Sequence, residues 1–106
     1  MARERIRGSA PAAMEVLHVD NFGNAKIFAK ADMIGSPKEG ARLTVKFPDG
    51  TVIQATYASR MMSAADGTWQ IYPGSSFDFL EIGQVRSSGV LNYHVHPGDL
   101  VSIEQA

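Results

Sequence analysis

The chain has 106 residues, enough for one small domain that buries roughly 65% of its unfolded surface around a single core. Ten Lys and Arg against eleven Asp and Glu leave a formal charge of −1, which argues against a polyanion surface and a nucleic-acid partner. Cysteine is absent, which excludes disulfides, a thiolate nucleophile and cysteine-bound metal, and fits a reducing, cytoplasmic setting.

Residues 1–13, "MARERIRGSAPAA", lack apolar periodicity and read as a flexible leader or a linker remnant. They are basic, but no apolar segment of signal-peptide length follows. No run approaches the roughly 20 apolar residues of a membrane span. Residues 14–106 read as one β domain. "MEVLHVD" and "AKIFAK" predict two strands joined by "DNFGN", with His18 at an alternating position that predicts a partly buried structural histidine. "ARLTVKF" places Ala41, Leu43, Val45 and Phe47 on one face and Arg42, Thr44 and Lys46 on the other. "PDGT" predicts a tight hairpin, and "TVIQATYA" returns with Ile53, Ala55 and Tyr57 on a common side. In "SRMMSAADG", Met61 and Met62 either cap a pocket or pack the end of the fold. "TWQIY", "FDFLEIGQV" and "LVSIEQ" predict the remaining strands, and "SGVLNYHV" one helical turn before the last of them. Seven short strands at this spacing predict an all-β barrel or sandwich.

Catalytic chemistry is thin. His94 and His96 form an H-x-H pair whose imidazoles share a face if the segment is a strand, with Asp99 as the nearby carboxylate for a metal. "HPGD" directly after it favours a strand running into a surface turn. Ser75 and Ser76 lie in a turn with no local base, and "YPGSS" lacks nucleophile-elbow spacing. No P-loop or dinucleotide fingerprint occurs, and Asp78 and Glu81 fall on opposite faces of a regular strand. No catalytic set, metal or cofactor is therefore expected in this chain. Two polar clusters remain, "DNFGN" and "GSSFDFLEI", each explained locally by a turn. As a binding surface, the Asn24 amide matches the donor and acceptor edge of adenine, and Phe22 offers a flat apolar face.

Taken together the clusters are more specific. "VLHVDNFGN" resembles the V-x-x-(I/V)-D-x-F-G-N motif that opens the C-terminal domain of the SAM hydroxide adenosyltransferases, relatives of the fluorinating and chlorinating enzymes. "SSFDFLEIGQVRSSGVLNYHVHPGDLVSIE" is similar to that domain's second signature, through Ser76, "LEIG", "RSSGV" and "PGDLV". The resemblance implies a small antiparallel β-barrel of about seven strands. It also implies SAM or adenosine as substrate or ligand, held between this domain and a catalytic N-terminal domain supplied in cis or in trans, in a possible homotrimer. The full family converts SAM and water to adenosine and methionine, so the chain alone is expected to be inactive. The resemblance makes Asp20 a partner for the methionine amino group and Ser76, followed by Phe77, a partner for its carboxylate. Asn24 and Phe22 would face adenine, with backbone groups from Arg86 through Ser88 to Gly89 along the base edge. The pattern breaks at Ile27 and Phe28, where the family carries Thr-Asn after a short apolar pair. It breaks again at Ser87 to Val90 in place of Gly-Asn-Ala-Ala, and at Asp78 where glycine is common. A barrel that keeps the scaffold and serves only in assembly is the alternative.

Overall fold

The computed structural model describes residues 12–59, 65–74 and 78–105. Among these, seven strands follow in chain order: β1 (Ala12–Val19), β2 (Ala25–Ile27), β3 (Arg42–Lys46), β4 (Val52–Tyr57), β5 (Trp69–Pro73), β6 (Leu80–Gln84) and β7 (Leu100–Gln105). They close into one barrel in the order β1-β2-β6-β5-β4-β3-β7. Closure leaves no unpaired sheet edge, which protects so small a fold from edge-to-edge association. The β3–β4 hairpin is the most regular unit. Its loop closes through Phe47 N–H to the Thr51 carbonyl and Gly50 N–H to the Phe47 carbonyl, and its register sets Leu43 opposite Ala55 and Val45 opposite Ile53.

Every strand pair is antiparallel except β4–β5, where Ala55, Thr56 and Tyr57 run alongside Trp69, Gln70 and Ile71. The barrel is thus mixed rather than wholly antiparallel. A parallel pair needs a crossover instead of a tight turn. Alternation within each strand does not reveal this, because it reports faces and not directions.

The core lies along the barrel axis. It gathers Met14 and Val16 from β1, Ile27 from β2, Leu43 and Val45 from β3, Trp69 and Ile71 from β5, Leu80 and Ile82 from β6, and Val101 and Ile103 from β7. Phe47, Trp69 and Tyr93 pack ring against ring at one end, with centroids 5.2–5.8 Å apart. On β5 both faces are covered, since Gln70 and Tyr72 are buried on the side away from the core.

Several elements depart from the expected boundaries. β1 begins at Ala12, and Ala12 and Ala13 already pair with Ile103 and Ser102. A bulge between Val16 and His18 interrupts its pairing with β2. Strict alternation would carry His18 inward after Met14 and Val16. The extra residue instead leaves Leu17 and His18 both exposed, while Val19 turns back against the core. His18 is therefore exposed and not the partly buried structural histidine that its position in the strand predicts. β2 is short, and a 3-10 turn, Ala31–Ile34, follows it where no element was expected. β6 starts only at Leu80, because Asp78 adopts a left-handed backbone (φ 58°) that no strand accommodates. A 3-10 helix over Gly89–Tyr93 matches the expected helical turn in "SGVLNYHV". Among the described residues no helix is long and apolar enough to cross a membrane.

Candidate functional site

The turn between β1 and β2 is organised by one carboxylate. Asp20 Oδ1 accepts the backbone N–H groups of Phe22 at 2.9 Å and Asn24 at 3.0 Å, and Oδ2 accepts the Asn24 side-chain amide at 3.1 Å. Asp20 N–H in turn donates to the Asn24 carbonyl at 3.0 Å, and Gly23 N–H to the Asp20 carbonyl at 3.1 Å. Partial burial pushes the Asp20 carboxyl up. The hydrogen bonds from Asn24 and Phe22, with a smaller contribution from His18, outweigh it and hold the group below the ordinary aspartate value. Asp20 and Asn24 thus meet each other before they meet any ligand. Phe22 stands on the outside of the turn, 77% exposed.

A second loop, between β6 and β7, is knit onto this turn through two glycines. Val90 N–H donates to the Gly23 carbonyl at 3.0 Å. Gly23 (φ 84°) and Gly89 (φ 55°) both sit in the left-handed region. A Cβ on Gly23 would fall 1.8 Å from the Ser88 carbonyl oxygen, and one on Gly89 would fall 2.3 Å from the Gly23 oxygen. Any side chain at either position would drive the two backbones apart. "DNFGN" and "RSSGV", far apart in the chain, therefore form one corner at the end of the barrel. Of the expected site residues, Asp20, Phe22, Asn24 and Ser88 meet at this corner. The Arg86 side chain turns away to an exposed ion pair with Asp66, leaving only its backbone in the loop. Ser76 and Phe77 lie outside the described residues, as do Met61 and Met62.

Beside the corner an open groove of about 420 Å³ runs between Asp20 and Asn21 on one side and Leu91, His94, His96 and Pro97 on the other. His94 and His96 are not on a strand. His94 caps the 3-10 helix with a left-handed backbone (φ 55°), and His96 opens the turn in which its N–H donates to Asp99 Oδ2 at 2.9 Å. The imidazoles therefore do not share a strand face, and no group of three metal-ligating side chains occurs among the described residues.

Tyr72 and Glu81 are neighbours that sequence reasoning missed. They pair across β5 and β6, and the buried Tyr72 hydroxyl donates to Glu81 Oε1 at 3.3 Å. Burial first, then the adjacent Glu81 carboxylate, pushes the Tyr72 hydroxyl far above its ordinary value, with a further contribution from Asp20. The pairing depends on which strands are neighbours, which the local pattern of "LEIG" does not carry.

Fold and corner together define a small closed β-barrel whose two glycine-bearing loops present one polar end. The chain belongs to the SAM hydroxide adenosyltransferase C-terminal domain family, whose model matches residues 14–102. No curated protein matches it. Among solved structures it is similar to an uncharacterized conserved protein from Thermotoga maritima, with 23% identity and a TM-score of 0.75 over 97% of this chain and 41% of that one. It is also similar to a conserved hypothetical protein from Thermus thermophilus, with 22% identity and a TM-score of 0.62 over 88% of this chain and 35% of that one. The chain thus spans well under half the length of these two proteins, and at such identities the likeness is one of fold.

Proposed function

We propose that this domain is the nucleoside-holding half of a composite site, gripping adenosine or the adenosine portion of SAM while a companion domain supplies the chemistry. The observation that carries this reading is the Gly23–Gly89 contact, which joins the loops of "DNFGN" and "RSSGV", the stretches whose sequences resemble the family's. The corner keeps unused hydrogen-bonding capacity. The Asn24 amide spends one N–H on Asp20, leaving its oxygen and second N–H for the edge of a base. Asp20 accepts three of the roughly four hydrogen bonds a carboxylate can take, so room remains for a ligand ammonium. Exposed Phe22 offers an apolar face for a ring.

Calorimetric titration with adenosine tests the reading. Weak binding is expected, in the millimolar range, and Asn24→Ala abolishes it while the circular dichroism of the barrel stays unchanged. An absence of heat up to millimolar adenosine counts against a preformed site. Loss of fold in Asn24→Ala would make Asn24 a turn residue only.

A further inference from the structure

β5 turns Trp69 and Ile71 into the barrel and Gln70 and Tyr72 away from it, and both outward residues are buried all the same. Tyr72 has its partner in Glu81. Gln70 has none. The residue is 2% exposed, and among the described residues its Oε1 is the buried side-chain atom that lacks a hydrogen bond. Its neighbours across the ladder do not supply one. Thr56 on β4 makes no hydrogen bond to the oxygen, and on β6 Gln70 faces Gly83, which has no side chain to offer. An unpaired buried acceptor destabilises the fold, whereas an apolar side chain of the same shape does not. The barrel by itself therefore gains nothing from the amide.

The surroundings of Gln70 point to a flat ligand. Gly83 lies inside β6, and a glycine within a strand removes the side chain where a ligand or another backbone comes close. Ile82, the residue before Gly83, pairs with Ala25, and Asn24 is the residue before Ala25. The bare stretch thus begins beside Asn24, at the corner, and ends at Gln70. The field of the Asp20 carboxylate reaches the Tyr72 hydroxyl, so the corner and the outward side of β5 lie near each other. We propose that Gln70 is a specificity-determining residue for the nucleoside, its Oε1 accepting an N–H of the amine on the base. This rests on the nucleoside-holding reading and extends it from the corner to β5. An unpaired acceptor calls for a donor, and the exocyclic amine of adenine carries two N–H groups on a planar ring. Asn24 then meets the base from the side of β2 and Gln70 from the side of β5. Because Gln70 is buried, the amine enters the outward face and leaves water behind, where a hydrogen bond is stronger than at an open rim.

Chemical-shift titrations of the full chain with adenosine and with purine riboside, which lacks the amine, test it. The parent is expected to bind adenosine about fivefold more tightly than purine riboside. Gln70→Met weakens adenosine by about the same factor and leaves purine riboside unchanged, so the preference disappears. The variant melts at or above the temperature of the parent, because it removes an unpaired acceptor from the fold. Equal affinity of the parent for the two ligands, or a preference that survives in Gln70→Met, overturns the proposal and leaves the nucleoside reading standing. A variant that melts well below the parent makes the amide a structural group and overturns it too. Failure of both ligands to bind the parent overturns the nucleoside reading and this proposal with it.

Discussion

Asp20 is the side chain that decides the shape of the β1–β2 corner, and its titration gives a direct handle on it. Its folded carboxyl lies below the ordinary value because Asn24 and Phe22 donate to the charged form. The folded state therefore favours the carboxylate more than the unfolded chain does, whose aspartates titrate near about 3.9. The stabilisation is complete above that value and is lost as pH falls through the lower folded one. Asp20→Asn should cost about 1 kcal/mol near neutral pH, a modest figure because the group is largely solvated and screened. Urea midpoints followed into the acid range should fall more steeply for the parent than for the variant below about pH 4. Parallel curves would show that the turn gains nothing from the charge. At the neighbouring glycines the expectation is larger. Gly89→Ala combines a left-handed backbone with a Cβ driven into the Gly23 carbonyl, and should destabilise by more than about 2 kcal/mol. That "DNFGN" makes a turn is legible in the residues, since Asp, Asn and Gly each act locally. That Gly23 and Gly89 are one contact is not, because it depends on how the chain closes.

At the scale of elements, the readable features were those that local alternation controls. The β3–β4 hairpin follows from "ARLTVKF", "PDGT" and "TVIQATYA" because each strand buries one face and the turn residues fix the loop. β7 likewise coincides with "LVSIEQ". The misreadings of boundaries and faces lie where the period is broken by one residue or where an element is too short to show one. Asp78 delays β6, one turn of 3-10 helix is too short to show periodicity, and the bulge reverses His18. The bulge also makes a prediction. With it, Met14, Val16 and Val19 all reach the core side although the last interval is three residues. Deleting Leu17 makes that interval two residues, so Val16 and Val19 both stay inward with His18 outward between them, and the bulge disappears. The barrel should therefore still unfold cooperatively, with a denaturant midpoint within about half a molar of the parent and an unchanged slope. Loss of the cooperative transition would show that β1 needs the bulge itself, and not only the facing of its residues.

At the scale of the whole molecule, the corner and the groove beside it are open on one side. The groove of about 420 Å³ falls within the size range of small-molecule sites, but such sites usually enclose most of a ligand, and this groove is open to solvent. The two solved structures cited above are more than twice as long as this chain. An open half-site loses contact area and also keeps water at the ligand, which weakens every polar interaction made there. Millimolar adenosine affinity, about −4 kcal/mol, is the range expected under those conditions. Hydrolysis of SAM asks for more than binding, since a water must be positioned and activated against the ribose carbon while the sulfonium leaves. The carboxylates of the corner are committed elsewhere, Asp20 to its own turn and Glu81 to Tyr72. Incubated with SAM, the purified domain should therefore release no adenosine above the uncatalysed rate, followed chromatographically over hours. Release that disappears in both Asp20→Asn and Asn24→Ala would instead place a complete active site within these 106 residues.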